Sequence, residues 1–354
     1  MTVEGTRRKE SEGLDMAELE HQLRLLENSD EQAAKNTIAH IRQAYHEVMV
    51  EGPESRKDDR ENLAYFDGLM LCQMAEGHLF AEDEPGVGKT SGAKAYARLQ
   101  DIIYNRIQMT PDTLPRAITG WSEPSGVKYG PIFANFVLVD EIRRAAPETQ
   151  SALLEVMEEG QATFDGQTHP LHLPYMFVAT TNPEEHEGTY PLPQAQLDRF
   201  SMSITLRASK DRRTRGAVAR RNRNGGLKAE PIRVGGRTLN ADVILSLQKV
   251  RRNVAVPTKL EDEYVPALVD YVSDHKQTRR QPTGYRAEIW IPRLAQARAL
   301  MLGEAEVTVD HVDYVAFSAL NHRFDTQYDN DGRPFPKTQV VREATTKARA
   351  ETGL

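Results

Sequence analysis

The chain has 354 residues, of which 27% are charged and 39% hydrophobic, with a formal net charge of -7 at pH 7. That length suits two or three domains with a sizeable core, and the acidic balance argues for solubility and against wholesale nucleic-acid binding. No apolar run approaches a membrane-spanning length, residues 1–15 are polar and unlike a signal peptide, and Cys72 is the only cysteine. Membrane insertion and an intrachain disulfide are therefore not expected, and a cytoplasmic location is.

Taken in order, residues 1–30 read as a polar tail and a short amphipathic helix marked by Met16, Leu19, Leu23 and Leu26. Ile38, Ile41, Tyr45 and Val48 predict a second helix that stops near Gly52-Pro53. A third spans Asp59 to Met74, where the neighbours of Cys72 are Leu69, Met70, Leu71 and Met74, the setting of a buried, inert thiol. The apolar stretch His78 to Ala81 predicts a strand, and Ser91 to Gln100, rich in helix formers, a helix.

Between these two lies Asp83-Glu84-Pro85-Gly86-Val87-Gly88-Lys89-Thr90. Strand, glycine loop and helix in this order form a phosphate cradle. Gly86 and Gly88 let backbone amides approach phosphate oxygens, and the helix N-terminus adds partial positive charge. Glu84 to Ser91 are the candidate nucleotide-binding residues, with Lys89 reaching the β- and γ-phosphates and Thr90 holding Mg²⁺. Asp83 stands where the motif opens on glycine, and its charge opposes that of a phosphate.

Further on, Ile102 to Met109 predicts a second strand and Asn135 to Glu141 a third, whose Phe136-Val137-Leu138-Val139 run is that of a strand buried on both faces. It delivers two adjacent acids at its C-terminal end, where open α/β sheets bind ligands. Asp140 would hold Mg²⁺, and Glu141 would orient or deprotonate the attacking water. Gly120 to Gly130 and Gln161 to Leu173 read as hairpin insertions, the latter turning at Asp165-Gly166. Met176 to Ala179 is a fourth strand leading to Asn182, whose amide could hold the attacking water, touch the γ-phosphate or merely cap a turn. Ser203 to Leu206 is a fifth. His169 and His172 lack the partners of a metal site.

From Arg207 to Arg223 the chain turns basic, and without interleaved aromatic residues this run reads as a solvated helix and linker rather than a nucleic-acid patch. Helical patterns continue at Val243 to Val250, Tyr264 to Val272, Ile289 to Met301 and Val312 to Leu320, and residues 327–354 read as a polar, loosely held tail. The organisation expected is a nucleotide-binding core over 31–207, a basic linker over 208–240 and an all-α domain over 241–326.

Several separate stretches together resemble the MoxR-type AAA+ ATPases: Arg106-Ile107-Gln108-Met109-Thr110-Pro111-Asp112 with Leu114-Pro115, Gly130 to Asn135, Pro147 with Thr149-Gln150, and Glu187 to Pro193. The resemblance runs from about Ile38 to Phe324. It implies a five-stranded parallel sheet between helices followed by a smaller helical lid, with two hairpin insertions in the core. It also implies hexameric rings with ATP and Mg²⁺ at subunit interfaces. By motif, Asn182 is similar to the family's polar sensor, Arg199 to its arginine finger and Arg286 to its second sensor arginine. Arg286 sits in Gly-Tyr-Arg where the family has Ser-Pro-Arg, and Arg143 stands where it has Asn. The implied activity is ATP hydrolysis that remodels or activates a partner protein, including partners with von Willebrand factor A domains. A nucleotide-gated scaffold and a DNA-related motor are the alternatives.

Overall fold

In the computed structural model the described residues are 30–49, 63–83, 87–182, 188–207, 211–223, 229–234, 237–282 and 284–354. The expected helix at Met16 to Leu26, the stop at Gly52-Pro53 and loop residues Glu84, Pro85 and Gly86 lie outside them.

Helix α1 (Glu31–Val48) starts at Asp30, whose carboxylate accepts the Ala33 N–H at 2.7 Å. Helix α2 (Tyr65–Ala75) is apolar nearly all round and correspondingly buried, and it ends at Glu76 in the left-handed conformation. There the Cys72 thiol is fully buried and its pKa is pushed up to about 12 by burial, which keeps it protonated and inert. Strand β1 (Leu79–Asp83) leads to helix α3 (Lys89–Leu99). Then come β2 (Tyr104–Gln108), the short α4 (Pro115–Thr119), the hairpin β3 (Gly120–Glu123) and β4 (Gly126–Tyr129), and β5 (Phe136–Asp140). Helix α5 (Pro147–Glu159) begins on a proline at its first position and ends at Gly160 with φ 66°. A second hairpin, β6 (Gln161–Phe164) and β7 (Gln167–Pro170), turns at Asp165 and Gly166, both at positive φ as the dipeptide predicts. Strand β8 (Met176–Thr181), α6 (Gln194–Leu197) and β9 (Met202–Leu206) complete this part.

The five longer strands form one parallel sheet in the order β2-β5-β8-β1-β9. Every residue of β5 is buried, and its side chains alternate between two cores. Phe136 and Leu138 join α1, α2 and α3, whereas Val137 and Val139 face Leu153, Leu154 and Met157 of α5.

The basic run forms helix α7 (Arg212–Arg223), with Arg212, Arg213, Arg215 and Arg220 exposed. The segment beyond it corrects the expected linker. Ala229, Ile232 and Leu239 are buried in the first core, the Ile232 N–H donates to Leu99 O at 3.0 Å, and β10 (Arg233–Val234) pairs with β11 (Arg237–Thr238). Three apolar side chains spaced through polar sequence are enough to anchor the segment; they are three and seven residues apart, a helical spacing that the two-stranded ribbon between Ile232 and Leu239 does not follow.

Helices α8 (Ala241–Asn253), α9 (Val265–Ser273), α10 (Arg286–Leu302) and α11 (Val309–Leu320) share that same core. The otherwise helical region holds a small antiparallel ribbon, β12 (Thr278–Arg280) with β13 (Asp325–Thr326). The loosely held tail is also corrected: α12 (Lys337–Thr352) packs on α9 through buried Val340, Val341, Ala344 and Ala348. Arg349 clamps it to Asp313 at 2.6 Å and to Asp310 at 2.7 Å. Its stripe of small residues at helical spacing is narrow, so surrounding polar residues mask it in the sequence.

Candidate functional site

Two sets of functional side chains lie at opposite ends of the strands, at the edge formed by their C-terminal ends and at the edge formed by their N-terminal ends. The first lies at the C-terminal ends of β1, β5 and β8, which are neighbours in space. Gly88 begins α3 with φ 88°; a Cβ there would meet nothing within 4 Å, so the left-handed backbone and not crowding calls for glycine. Among the described residues no side chain caps α3 and its first turn holds no acid, so the leading N–H groups make an electropositive terminus. Thr90 Oγ1 donates to Asp140 Oδ2 at 3.3 Å, and Lys89 Nζ lies 3.9 Å from Asp140 Oδ1. Val87 and Ser91 complete the described part of the loop, while the side chain of Asp83 lies outside the described residues.

Asp140 is buried, and Thr180 Oγ1 donates to its Oδ1 at 2.9 Å while accepting the Glu141 N–H at 3.1 Å. One hydroxyl on β8 thus ties together the two acids that follow β5. Glu141 has φ 57°, a conformation costly for a residue with a side chain and commonly retained where chemistry needs it. Its Oε2 accepts Gln108 Nε2 at 2.9 Å and pairs with Arg144 Nε at 3.0 Å. Arg106 Nε reaches Asp140 Oδ2 at 2.7 Å. No local motif assigns a role to Arg106, Gln108, Arg144 or Thr180. Their signal lies in strand order, because the β2–β5 register sets Gln108 directly beside Asp140. Asn182 directly follows β8, between the strand of the loop and the strand of the acids.

A hydroxyl beside a buried carboxylate, a lysine and an electropositive helix terminus form the donor set that a magnesium-bound triphosphate requires, so the residues fit ATP and Mg²⁺. Thr90 and Asp140 would hold the cation; when bound it would neutralise charge building up on the β- and γ-phosphate oxygens.

The second set sits at the other edge. Arg199 Nε lies 2.7 Å from Glu158 Oε2, and Arg286 Nη2 bonds Glu158 Oε1. With Glu76, His78 and Arg293 they line a cavity of about 310 Å³. Gly77, just before β1, is packed too closely for a side chain: a Cβ there would run into Ser201 Oγ and lie 2.6 Å from Ser201 Cβ and 3.0 Å from Cζ3 of Trp290, which also lines the cavity. His78 fixes the end of α5 that carries Glu158. Its Nδ1 accepts the Phe177 N–H at 3.2 Å, so Nε2–H donates to Met157 O at 2.9 Å. Burial pushes this imidazole down to about 4, so it stays neutral. Lys89 follows the far end of β1, and its five residues at about 3.3 Å each separate the two sets by roughly 16 Å. Arg199 and Arg286 are therefore brought together with each other and not with their own chain's phosphate loop.

A parallel sheet of this order, with the glycine loop after one strand and paired acids after its second neighbour, defines a P-loop ATPase core of the AAA class. Residues 78–202 match the profile described as "ATPase family associated with various cellular activities (AAA)", and residues 274–344 match "AAA lid domain". The chain is 38% identical over 260 residues to the Bacillus subtilis protein YeaC, covering 72% of this chain and 79% of that one. It is 34% identical over 282 residues to "Chaperone MoxR1" of Mycobacterium tuberculosis, covering 74% and 71%. A weaker likeness, 26% over 199 residues, links it to a magnesium-chelatase 38 kDa subunit of Cereibacter sphaeroides, with 53% and 54% coverage. A crystal structure of a putative ATPase from Cytophaga hutchinsonii superposes with a TM-score of 0.79 at 29% identity, over 95% of this chain and 98% of that one. The chain belongs to the MoxR-type AAA+ ATPases. Among the described residues no helix is long and apolar enough to cross a membrane.

Proposed function

We propose that this protein is a Mg²⁺-dependent ATP hydrolase whose turnover needs a second copy of itself, and that hydrolysis moves core against lid to remodel or activate a partner protein. The observation that carries this reading is the separation of the two sets. Lys89, Thr90, Asp140 and Glu141 meet at one edge of the sheet, while Arg199 and Arg286 meet at the other. A guanidinium at the end of the strands opposite its own loop, with roughly 16 Å of strand between them, cannot stabilise charge there, whereas one offered to the next subunit can.

In this reading Lys89 and the α3 terminus bind the phosphates, and Glu141, aimed by Gln108 and Arg144, takes a proton from the attacking water. Asn182 orients that water, and Arg199 with Arg286 faces the γ-phosphate of a neighbour. A closed ring, hexameric as the family resemblance implies, satisfies every interface at once. A cytoplasmic protein carrying a von Willebrand factor A domain is the partner class that the family likeness favours.

Mixing tests the shared site. Arg199→Ala and Lys89→Ala proteins should each be inactive, the first losing turnover on the order of 10³-fold with binding intact. Combined, they should regain partial ATPase activity, since some interfaces then pair a working loop with a working arginine. Mixed assemblies that form but stay inactive would refute the reading.

A further inference from the structure

A fully buried arginine of the lid region holds the loop that carries Arg199. Arg323 follows α11 and is 0% exposed. Its Nε donates to Asp198 Oδ1 at 2.8 Å; Nη2 donates to Asp198 O at 3.2 Å and to Phe200 O at 2.8 Å; Nη1 reaches Ser201 O at 3.5 Å and Ala319 O. The carbonyls immediately before and after Arg199 thus converge on one guanidinium. His322 Nε2 adds a contact to Phe200 O at 3.1 Å, and Gln194 Nε2 donates back to His322 O at 3.1 Å. Arg199 itself donates its N–H to Gln196 O at 3.2 Å, and its side chain, 27% exposed, leaves toward Glu158.

Burying an arginine is costly, and an apolar side chain of similar volume would commonly hold the lid at least as well. What the guanidinium offers beyond packing is a rigid planar fork, able to fix several oxygens in one geometry. Burial lowers its pKa to about 10, with Asp198 opposing the shift, so all its donors persist at neutral pH.

We propose that Arg323 is a positioning residue for Arg199: by gripping Asp198 and Phe200 on either side, it aims the finger and makes that aim depend on where the lid sits. This rests on the reading that Arg199 serves a neighbour's nucleotide. The lid then sets, in the same chain, a group used by the next one, which is a physical route for coupling adjacent subunits.

The test uses the full chain with Arg323→Gln, and Arg323→Lys where the first melts below the assay temperature; lysine keeps the charge opposite Asp198 but cannot span both carbonyls. Alone, the variant should bind ATP within about two-fold of the parent and lose turnover at least about ten-fold, a pure kcat effect. Mixed with Lys89→Ala, whose Arg199 is intact, it should regain activity as Arg199→Ala does. Adding Arg323→Gln to Arg199→Ala should cost nothing further, because both act through one group. Full activity of the variant, nucleotide affinity lost in step with turnover, additive losses in the double variant, or rescue of Arg199→Ala but not of Arg323→Gln would each overturn the proposal. Should neither be rescued in mixed assemblies, the shared-site reading fails instead, and the double variant still decides whether the two arginines act together.

Discussion

The two edges of one sheet are built on different principles. At the nucleotide edge every functional group sits on or within a residue or two of a strand end or helix start, and its neighbours are set by strand order. At the arginine edge the groups come from a helix end, a loop and the lid, and they are gathered by Glu158 and the cavity around it. The first can be assembled by local structure and one sheet; the second exists only if the lid docks. The nucleotide edge should accordingly govern both binding and turnover, and the arginine edge turnover alone.

Substitutions at the nucleotide edge test this with the largest effects. Lys89→Ala should abolish ATP binding, while Glu141→Gln should bind ATP normally and turn over about a hundred-fold or more slowly, as expected when a general base is lost. Fluorescent-nucleotide titration beside a steady-state assay separates them, and equal loss of affinity in both variants would erase the division of roles.

An intermediate effect concerns what holds the arginine edge together in acid. The unfolded chain protonates His78 near pH 6.5, the folded one only near about 4. The folded pKa is depressed, so the unfolded state binds more protons between these values. Stability is then complete above about pH 6.5 and falls toward about pH 4, by up to about 1.4 kcal/mol per pH unit for this group. His322, also pushed down by burial, acts in the same direction. Urea midpoints taken across this range should decline in the parent and decline less in His78→Gln; parallel curves would mean His78 does not carry the slope.

The smallest expected effect is at Glu158. It is 42% exposed, so its pairs with Arg199 and Arg286 are screened and contribute about 1 kcal/mol or less. If the carboxylate holds both arginines in reserve, Glu158→Gln should change kcat/KM by no more than about five-fold, upward, with ATP binding at the nucleotide edge untouched. A drop as large as that of Arg199→Ala would make Glu158 part of the chemistry instead.

Much of the nucleotide edge was legible because its signals are local. Gly88-Lys89-Thr90 sits between an apolar strand and a helix, Asp140-Glu141 ends a buried run, and Asp165-Gly166 turns a hairpin; each depends on residues a few positions apart. Arg106, Gln108 and Thr180 were not legible in the same way. They meet the acids only because β5 lies between β2 and β8, an order that no stretch of sequence spells out. Helix α12 and the segment holding Ile232 were misread as tail and linker because few apolar side chains mark them, and those few are stabilised by partners far away along the chain.

The sequence by itself determined the elements of the core, the Gly88-Lys89-Thr90 start of a helix after a strand, the Asp140-Glu141 pair at a strand end and the family, since these follow from periodicity, turn chemistry and contiguous motifs. Only the tertiary structure decided that Arg199 and Arg286 share Glu158 at the edge away from Lys89, and that buried Arg323 grips the loop that carries Arg199. The reason is physical: a contact between residues tens to more than a hundred positions apart depends on how helices dock on a sheet, and docking is set by the summed burial of many side chains rather than by any one residue.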